Sequence, residues 1–327
     1  MPLLHQREDL DIVLWPEDRI VDRSWLLKNI PGAAGVLVML TDKIDKELLD
    51  AAGPSLRAAS TMSVGYEHVD LSEISERGIR FGYTPDVLTS AVADLSVMLA
   101  LMAGRNGGEA ITFWPTISWA PFSFCGPQLS SSPISPKRTV GFLGFGRIPQ
   151  ATLARLIPFG ITSCIYSSNP SSPPTSERDA ALQARYKLES LRRVDMDELA
   201  RESDVLFVLA PGGQATRHLV NESFLKKMKK MSVLVNTSRG SVVDSDALAK
   251  ALREGWIWGA GVDVVEGEPK VPADHPLVKE PRCVVVPHIA SGTFEARLGM
   301  ATLAVKNLLA ALDGKPMPAE LDLRSKL

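Results

Sequence analysis

The sequence predicts an α/β protein built on parallel sheets and divided into two domains. Short apolar, β-branched runs alternate with helical stretches from end to end, the pattern of strands joined by crossover helices. The chain has 327 residues, beyond the size at which a single core usually stops growing. "TVGFL", from Thr139, runs directly into Gly144-Phe145-Gly146 and then a helical stretch, a strand–turn–helix order that suits the phosphates of a dinucleotide.

The elements follow in order. "GVLVML" from Gly35, "RAASTM" from Arg57 and "GIRFGY" from Gly78 read as buried strands. "DKELLDAAG" between the first two reads as a helix, with Asp45 as N-cap and Gly53 as its stop. A helix apolar on most faces, and therefore buried, runs from about Thr89 to Arg105. Residues 106–138, rich in Gly, Pro, Ser and Trp, read as an irregular excursion. A second series then supplies the strands "TVGFL", "TSCIY", "VLFVLA", "SVLVNT", "WGAGVDVV" and "RCVVVPH", with "SSNPSSPPTS" as a Ser/Pro loop. A last helix spans roughly Thr293 to Leu312, stops at Gly314 and is expected to cross back to the first domain. The boundaries that result are residues 1–87, 88–292 and 293–327.

Composition narrows the function classes. The chain is 45% hydrophobic and 23% charged with a net charge of -2, as in ordinary globular proteins and without the basic footprint of a nucleic-acid partner. Cys125, Cys164 and Cys283 lie far apart, so they read as reduced thiols of an intracellular protein, and no metal-ligand spacing appears. "MPLLHQREDL" lacks the apolar core of a signal peptide, and the longest apolar stretch, from Leu95, is too short to span a bilayer. The chain ends in Ser325-Lys326-Leu327, a peroxisomal address read by an import receptor. The plain alternative is a frayed tail.

In the dinucleotide turn, Gly144 permits the tight turn and Gly146 lets backbone approach a pyrophosphate, while Arg147 and Ile148 open the helix whose N–H groups face it. The third glycine of the fingerprint is replaced by Pro149. In the first helical turn proline has no intrahelical partner to lose. The helix and cofactor binding should survive, with looser packing on the strand or a slightly shifted helix. At the end of the next strand the residues are Ser167-Ser168-Asn169-Pro170, where a carboxylate would grip the ribose of NAD. Its absence tilts the choice to NADP(H), with NAD(H) as the alternative. The first downstream arginine is Arg178, and the serines also read as a solvated loop.

Three further segments end strands of the second series: "VNTSRGSVVD" with Arg239, "GVDVVEGEP" with Asp263 and Glu268, and "VVVPHIASGT" with His288. Ligands of doubly wound sheets bind at such carboxyl ends. As a set, G-x-G-R-I, N-x-S-R-G, D-V-x-x-x-E-P and P-H-I-A-S resemble the D-isomer-specific 2-hydroxyacid dehydrogenases. "STMSVGYEHVD", "RGIRFGYTPDVLT" and "HPLV" are similar to its glyoxylate/hydroxypyruvate reductases.

The resemblance implies a Rossmann cofactor domain inserted in a flavodoxin-like substrate domain, both doubly wound, and reduction of a small 2-keto acid to a D-2-hydroxy acid. It makes Arg239 the substrate-binding guanidinium, its fork holding carboxylate and 2-oxo oxygen. His288 becomes the proton donor, and Glu268 the carboxylate that stabilises its imidazolium. Asp263 is similar to the residue that bonds the nicotinamide carboxamide, and Thr237 and Ala290 join it on the cofactor side. Val64 and Gly65 match a loop whose amides receive the substrate carboxylate. Trp119 matches a tryptophan sent into the partner's active site, which implies a homodimer. His5, His68, His218 and His275 read as structural or surface residues.

Two alternatives stay open: another enzyme of the fold, such as a phosphoglycerate dehydrogenase, and an inactive dinucleotide sensor. The family also carries a strand and helix ahead of the region matched by "LDIVLW", where this chain has about ten residues. A missing strand would expose the backbone groups of its neighbours.

Overall fold

A computed structural model describes residues 2–113, 132, 134–169, 171, 173 and 175–323. Trp119, Cys125 and the terminal Ser325-Lys326-Leu327 lie outside these. The chain divides into two compact units, residues 1–88 with 293–327, and residues 89–292.

The first unit is built on three parallel strands, β1 (Gly35–Val38), β2 (Ala58–Thr61) and β3 (Arg80–Gly82), in the order β1-β2-β3. Alternation of side chains explains how both faces are covered. Val36, Val38, Ala59 and Phe81 pack on Ile44, Leu48, Leu49 and Ile74, while Leu37 and Ala58 meet Leu308 and Ala311 of the C-terminal helix. That helix runs from Phe294 to Leu312, capped by Thr293, whose hydroxyl accepts from the Ala296 amide at 3.1 Å. Asp45 caps the Lys46–Ala52 helix and Gly53 ends it at φ +75°. Residues 10–15, which contain "LDIVLW", form no regular element. Among the described residues β1 therefore pairs only with β2.

Among the described residues the second unit holds seven parallel strands. They are β4 (Thr139–Leu143), β5 (Ser163–Ser167), β6 (Ser190–Arg193), β7 (Val205–Val208), β8 (Val233–Asn236), β9 (Gly259–Val262) and β10 (Cys283–Val285). Their order is β10-β9-β8-β7-β4-β5-β6. Chain direction across the sheet reverses between β4 and β7, the switch point where such sheets bind ligands. The central strands are buried on both faces: Val205 and Phe207 lie in one core, Leu206 and Val208 in the other. Such strands read as continuous apolar runs, which is why sequence finds them.

Two elements depart from expectation. β6, "SLRR", was missing from the predicted strands because only Leu191 is apolar, as suits an edge strand with one covered face. Residues 107–113, predicted irregular, form a helix. Cys164 and Cys283 are free and buried, and burial pushes both thiols well above their ordinary range. Among the described residues no helix is long and apolar enough to cross a membrane, and no cluster of three His, Cys, Asp or Glu could hold a metal.

Candidate active site

The cofactor turn leaves β4 at the switch point. Gly144 has φ +88°, and a Cβ there would lie 2.9 Å from the Leu209 carbonyl oxygen at the end of β7. Only glycine supplies both the dihedral and the clearance. Gly146 is the N-cap of the Arg147–Leu156 helix, and a Cβ on it would meet nothing within 4 Å. The space ahead of the helix is open, and the first-turn amides of Arg147 and Ile148 have no intrahelical acceptor. A pyrophosphate fits these residues.

Pro149 sits in that first turn, buried, while Leu153 and Leu156 on the same helix have 0% exposure. The expected looser packing leaves no exposed apolar face: Pro149, Leu153 and Leu156 are all buried. Phe145, between the two glycines, stacks on Tyr166 at a centroid distance of 4.3 Å. Arg178 lies over both rings, donates to the Phe145 carbonyl and the Tyr166 hydroxyl, and pairs with Asp179 at 2.7 Å. The first arginine after the Ser/Pro loop thus braces the turn from behind.

The chemistry-bearing side chains leave three neighbouring strands. β8, β9 and β10 are hydrogen-bonded side by side, so their carboxyl ends lie about 5 Å apart in sequence of pairing. After β8, the Asn236 amide shapes the turn that carries Arg239. Its oxygen accepts from the Ser238 amide and hydroxyl, and its nitrogen donates to the Arg239 carbonyl at 3.0 Å. The Thr237 hydroxyl meets Ser96 at 2.7 Å, and Ser96 donates to the Val92 carbonyl. The Thr237 proton is therefore committed to Ser96, which leaves its backbone as the donor it could offer a cofactor.

After β9, Asp263 is 2% exposed. One carboxylate oxygen accepts from the Ile289 amide at 2.6 Å and the other from Ala290 at 3.0 Å. Burial pushes this carboxyl above the usual carboxylate range, while those two amides and His288 pull the other way. Asp263 thereby braces the turn after β10, in which His288 takes the left-handed conformation at φ +53°. The His288 Nδ1 lies 3.1 Å from a Glu268 carboxylate oxygen, and both side chains are partly exposed. The structure brings Glu268 and His288 into contact and places Arg239 on the adjoining strand ends.

The sequence overlooked His218 and Glu266. The His218 Nε2 lies 2.7 Å from Glu266, whose other oxygen accepts from the Ser245 amide, while the His218 amide donates to the Ser241 carbonyl. Gly240 is buried against Val265, and a Cβ would collide with its carbonyl. These contacts fasten the Arg239 loop to the loop that ends in Glu268. His218 is 48 residues from Glu266, and nothing local in sequence signals the pairing. His275 caps the Pro276–Lys279 helix. In the first unit, a chain of bonds runs from His68 through Thr61 and Ser63 to the Gly65 carbonyl, at 2.9, 2.8 and 2.6 Å. It braces the turn that contains Val64 and Gly65.

Residues 97–290, more than half of the chain, match the family described as D-isomer specific 2-hydroxyacid dehydrogenase, NAD binding domain. The chain belongs to this family. The dehydrogenase is 43% identical over 325 residues to the glyoxylate reductase/hydroxypyruvate reductase of Homo sapiens, covering 98% of this chain and 93% of that one. It is 41% identical to the glyoxylate reductase of Thermofilum pendens, covering 97% and 87%. Among solved structures it resembles an NADPH-dependent glyoxylate/hydroxypyruvate reductase from Sinorhizobium meliloti in complex with NADP and malonate. The TM-score is 0.75 at 32% identity, covering 92% of this chain and 88% of that one. The α/β fold of the dehydrogenase, its nicotinamide dinucleotide cofactor and its class of 2-hydroxy and 2-keto acid substrate follow from this membership.

Proposed function

We propose that this dehydrogenase works as a reductase of glyoxylate or hydroxypyruvate, prefers NADPH to NADH, and acts as a homodimer in peroxisomes. The observation that carries the catalytic reading is the His288–Glu268 couple, formed by the segments after β10 and β9, with Arg239 after β8, the next strand of the sheet. The names of its relatives favour the substrate, and the S. meliloti enzyme favours NADPH.

When bound, NADPH would supply the hydride that the keto carbon needs. Arg239 holds the carboxylate and polarises the 2-oxo oxygen through its planar fork. The His288 imidazole, with Nδ1 turned to Glu268, presents Nε2 and gives its proton to the oxygen as negative charge develops there. Glu268 keeps the ring oriented and stabilises its cationic form. Asp263, with lone pairs left over from its two backbone bonds, would accept from the nicotinamide carboxamide. The turn holding Val64 and Gly65 offers amides to a carboxylate.

The assay is loss of NADPH or NADH absorbance with glyoxylate, hydroxypyruvate and 3-phosphohydroxypyruvate. Replacing His288 with Asn should cut turnover about 10²–10⁴-fold, and Arg239→Lys should raise KM for the keto acid. Binding of NADPH with turnover of none of the three acids would instead mark a sensor. The terminal Ser-Lys-Leu supports the peroxisomal address; an amino-terminally tagged chain should lose its punctate distribution when those three residues are removed. Exposed Met98, Leu101 and Ile111 form apolar surface on the cofactor unit that supports pairing of two copies, with Trp119 proposed to reach the partner. Sedimentation at twice the chain mass is the expected result.

A further inference from the structure

Resting on the NADP(H) preference proposed above, we infer that Arg193 on β6 is the residue that reads the 2′-phosphate of the cofactor's adenosine ribose. Selection of NADPH needs a cation where β5 ends. The loop that begins with Ser167, Ser168 and Asn169 has no arginine or lysine before Arg178. Arg178 is committed elsewhere, stacked on Phe145 and Tyr166 and paired with Asp179. The cation comes from the neighbouring strand instead.

β6 pairs with β5 in parallel, and Arg193 stands opposite Tyr166, one residue short of Ser167. Its Nη2 donates to the Asn169 carbonyl at 2.6 Å, so the guanidinium already reaches the loop that faces the ribose. Alternation along the strand sends its neighbour Arg192 the other way, onto Glu198 and Glu202 at 2.6 and 2.8 Å. The loop's own residues 167–176 contain no Asp or Glu that would repel a dianion. A guanidinium that reaches a serine-bearing loop can supply what a phosphate monoester takes: charge-assisted bonds from the fork and neutral donors from the loop. NADH, with a ribose hydroxyl in that place, gains nothing from the cation. β6 itself was hidden in sequence by its two arginines, so the same residues that obscured the strand account for its use.

The test measures binding on the full chain without turnover. Calorimetry with 2′,5′-ADP and 5′-AMP, and fluorescence titration with NADPH and NADH, are run on wild type, Arg193→Gln and Arg193→Lys. The proposal expects wild type to prefer the 2′-phosphorylated member of each pair. Arg193→Gln should weaken 2′,5′-ADP and NADPH about 10–100-fold, the range of a lost charge-assisted contact, and leave 5′-AMP and NADH within twofold. Arg193→Lys should recover part of the loss. Equal weakening of both members would mean that Arg193 only clips the loop to Asn169, and would overturn the inference. So would an unchanged preference in Arg193→Gln, while leaving the NADP(H) reading intact. A wild type without preference would overturn both.

Discussion

Asp263 shows how one residue joins fold and chemistry. Its two carboxylate oxygens accept the amides that flank the His288 turn. An asparagine offers one acceptor and one amino group, so one backbone N–H would face another donor, at a cost of about 1–3 kcal/mol. Asp263→Asn should therefore turn His288 away from Glu268 and lower kcat while Kd for NADPH stays within a few-fold. A variant with wild-type kcat would refute the bracing role. The pH dependence has a sign. Burial raises this carboxyl above its ordinary value, so its contribution to stability is present below the unfolded value and is lost as pH rises through the folded one. The stability gap between wild type and Asp263→Asn should narrow from pH 4 to pH 7 in denaturant titrations. Glu266 acts on the same turn from a distance. Glu266→Ala should lower kcat/KM about 10–100-fold through misplacement of Arg239 and Glu268, and Glu266→Gln, which retains an acceptor for His218, should recover most of it. A lower melting temperature with unchanged kcat/KM would make the contact merely structural. Arg239 and His288 were legible because each closely follows an apolar strand, and Glu268 because its D-V-x-x-x-E-P motif resembles the family's. His218, Glu266 and Arg193 were not, because their partners are 48, 21 and 24 residues away and only the folded sheet brings them close.

At the scale of elements, apolar runs announced the buried parallel strands, and Asp45 announced its helix through the cap it forms. Polarity hid β6, whose exposed edge tolerates arginine. The Arg147–Leu156 helix is where local rule and tertiary packing met. A missing third glycine suggested a loosened helix, whereas the proline sits where its lack of an N–H costs nothing and its ring is buried. Restoring the glycine should do harm. Pro149→Gly frees the unfolded chain and removes buried ring atoms, costing about 1 kcal/mol or more from the backbone effect alone. For a unit of this size the melting temperature should fall by roughly 2–4 °C per kcal/mol, with NADPH affinity within twofold of wild type. A gain in NADPH affinity would show instead that the proline had held the helix off the phosphates.

For the whole molecule, the chain passes from the first unit to the second and returns, so one unit is inserted in the other. The returning Phe294–Leu312 helix closes the first unit by covering one face of its three-stranded sheet. Asn307 anchors it with 0% exposure. Its amide nitrogen donates to the Tyr83 carbonyl at 2.9 Å, and its oxygen accepts from Ala319 at 2.8 Å. Gly82 lies so close that a Cβ would come 2.6 Å from the Asn307 Cβ. The side chain thus joins β3, the helix and the segment after it, all within the first unit. Asn307→Ala would remove two hydrogen bonds, to a half-buried carbonyl and a half-buried amide, each costing about 0.5–1.5 kcal/mol, besides opening a cavity. The second unit has its own cores and contains the cofactor turn, Arg239, Glu268 and His288. Chains with two such units need not unfold in one step. In Asn307→Ala, amide exchange should therefore quicken first at β1, β2, β3 and the C-terminal helix, with protection of β4 and β7 and the affinity for NADPH retained. Equal loss of protection across all ten strands would show that the two units stand or fall together, and that the bond network around Asn307 supports the cofactor site as well.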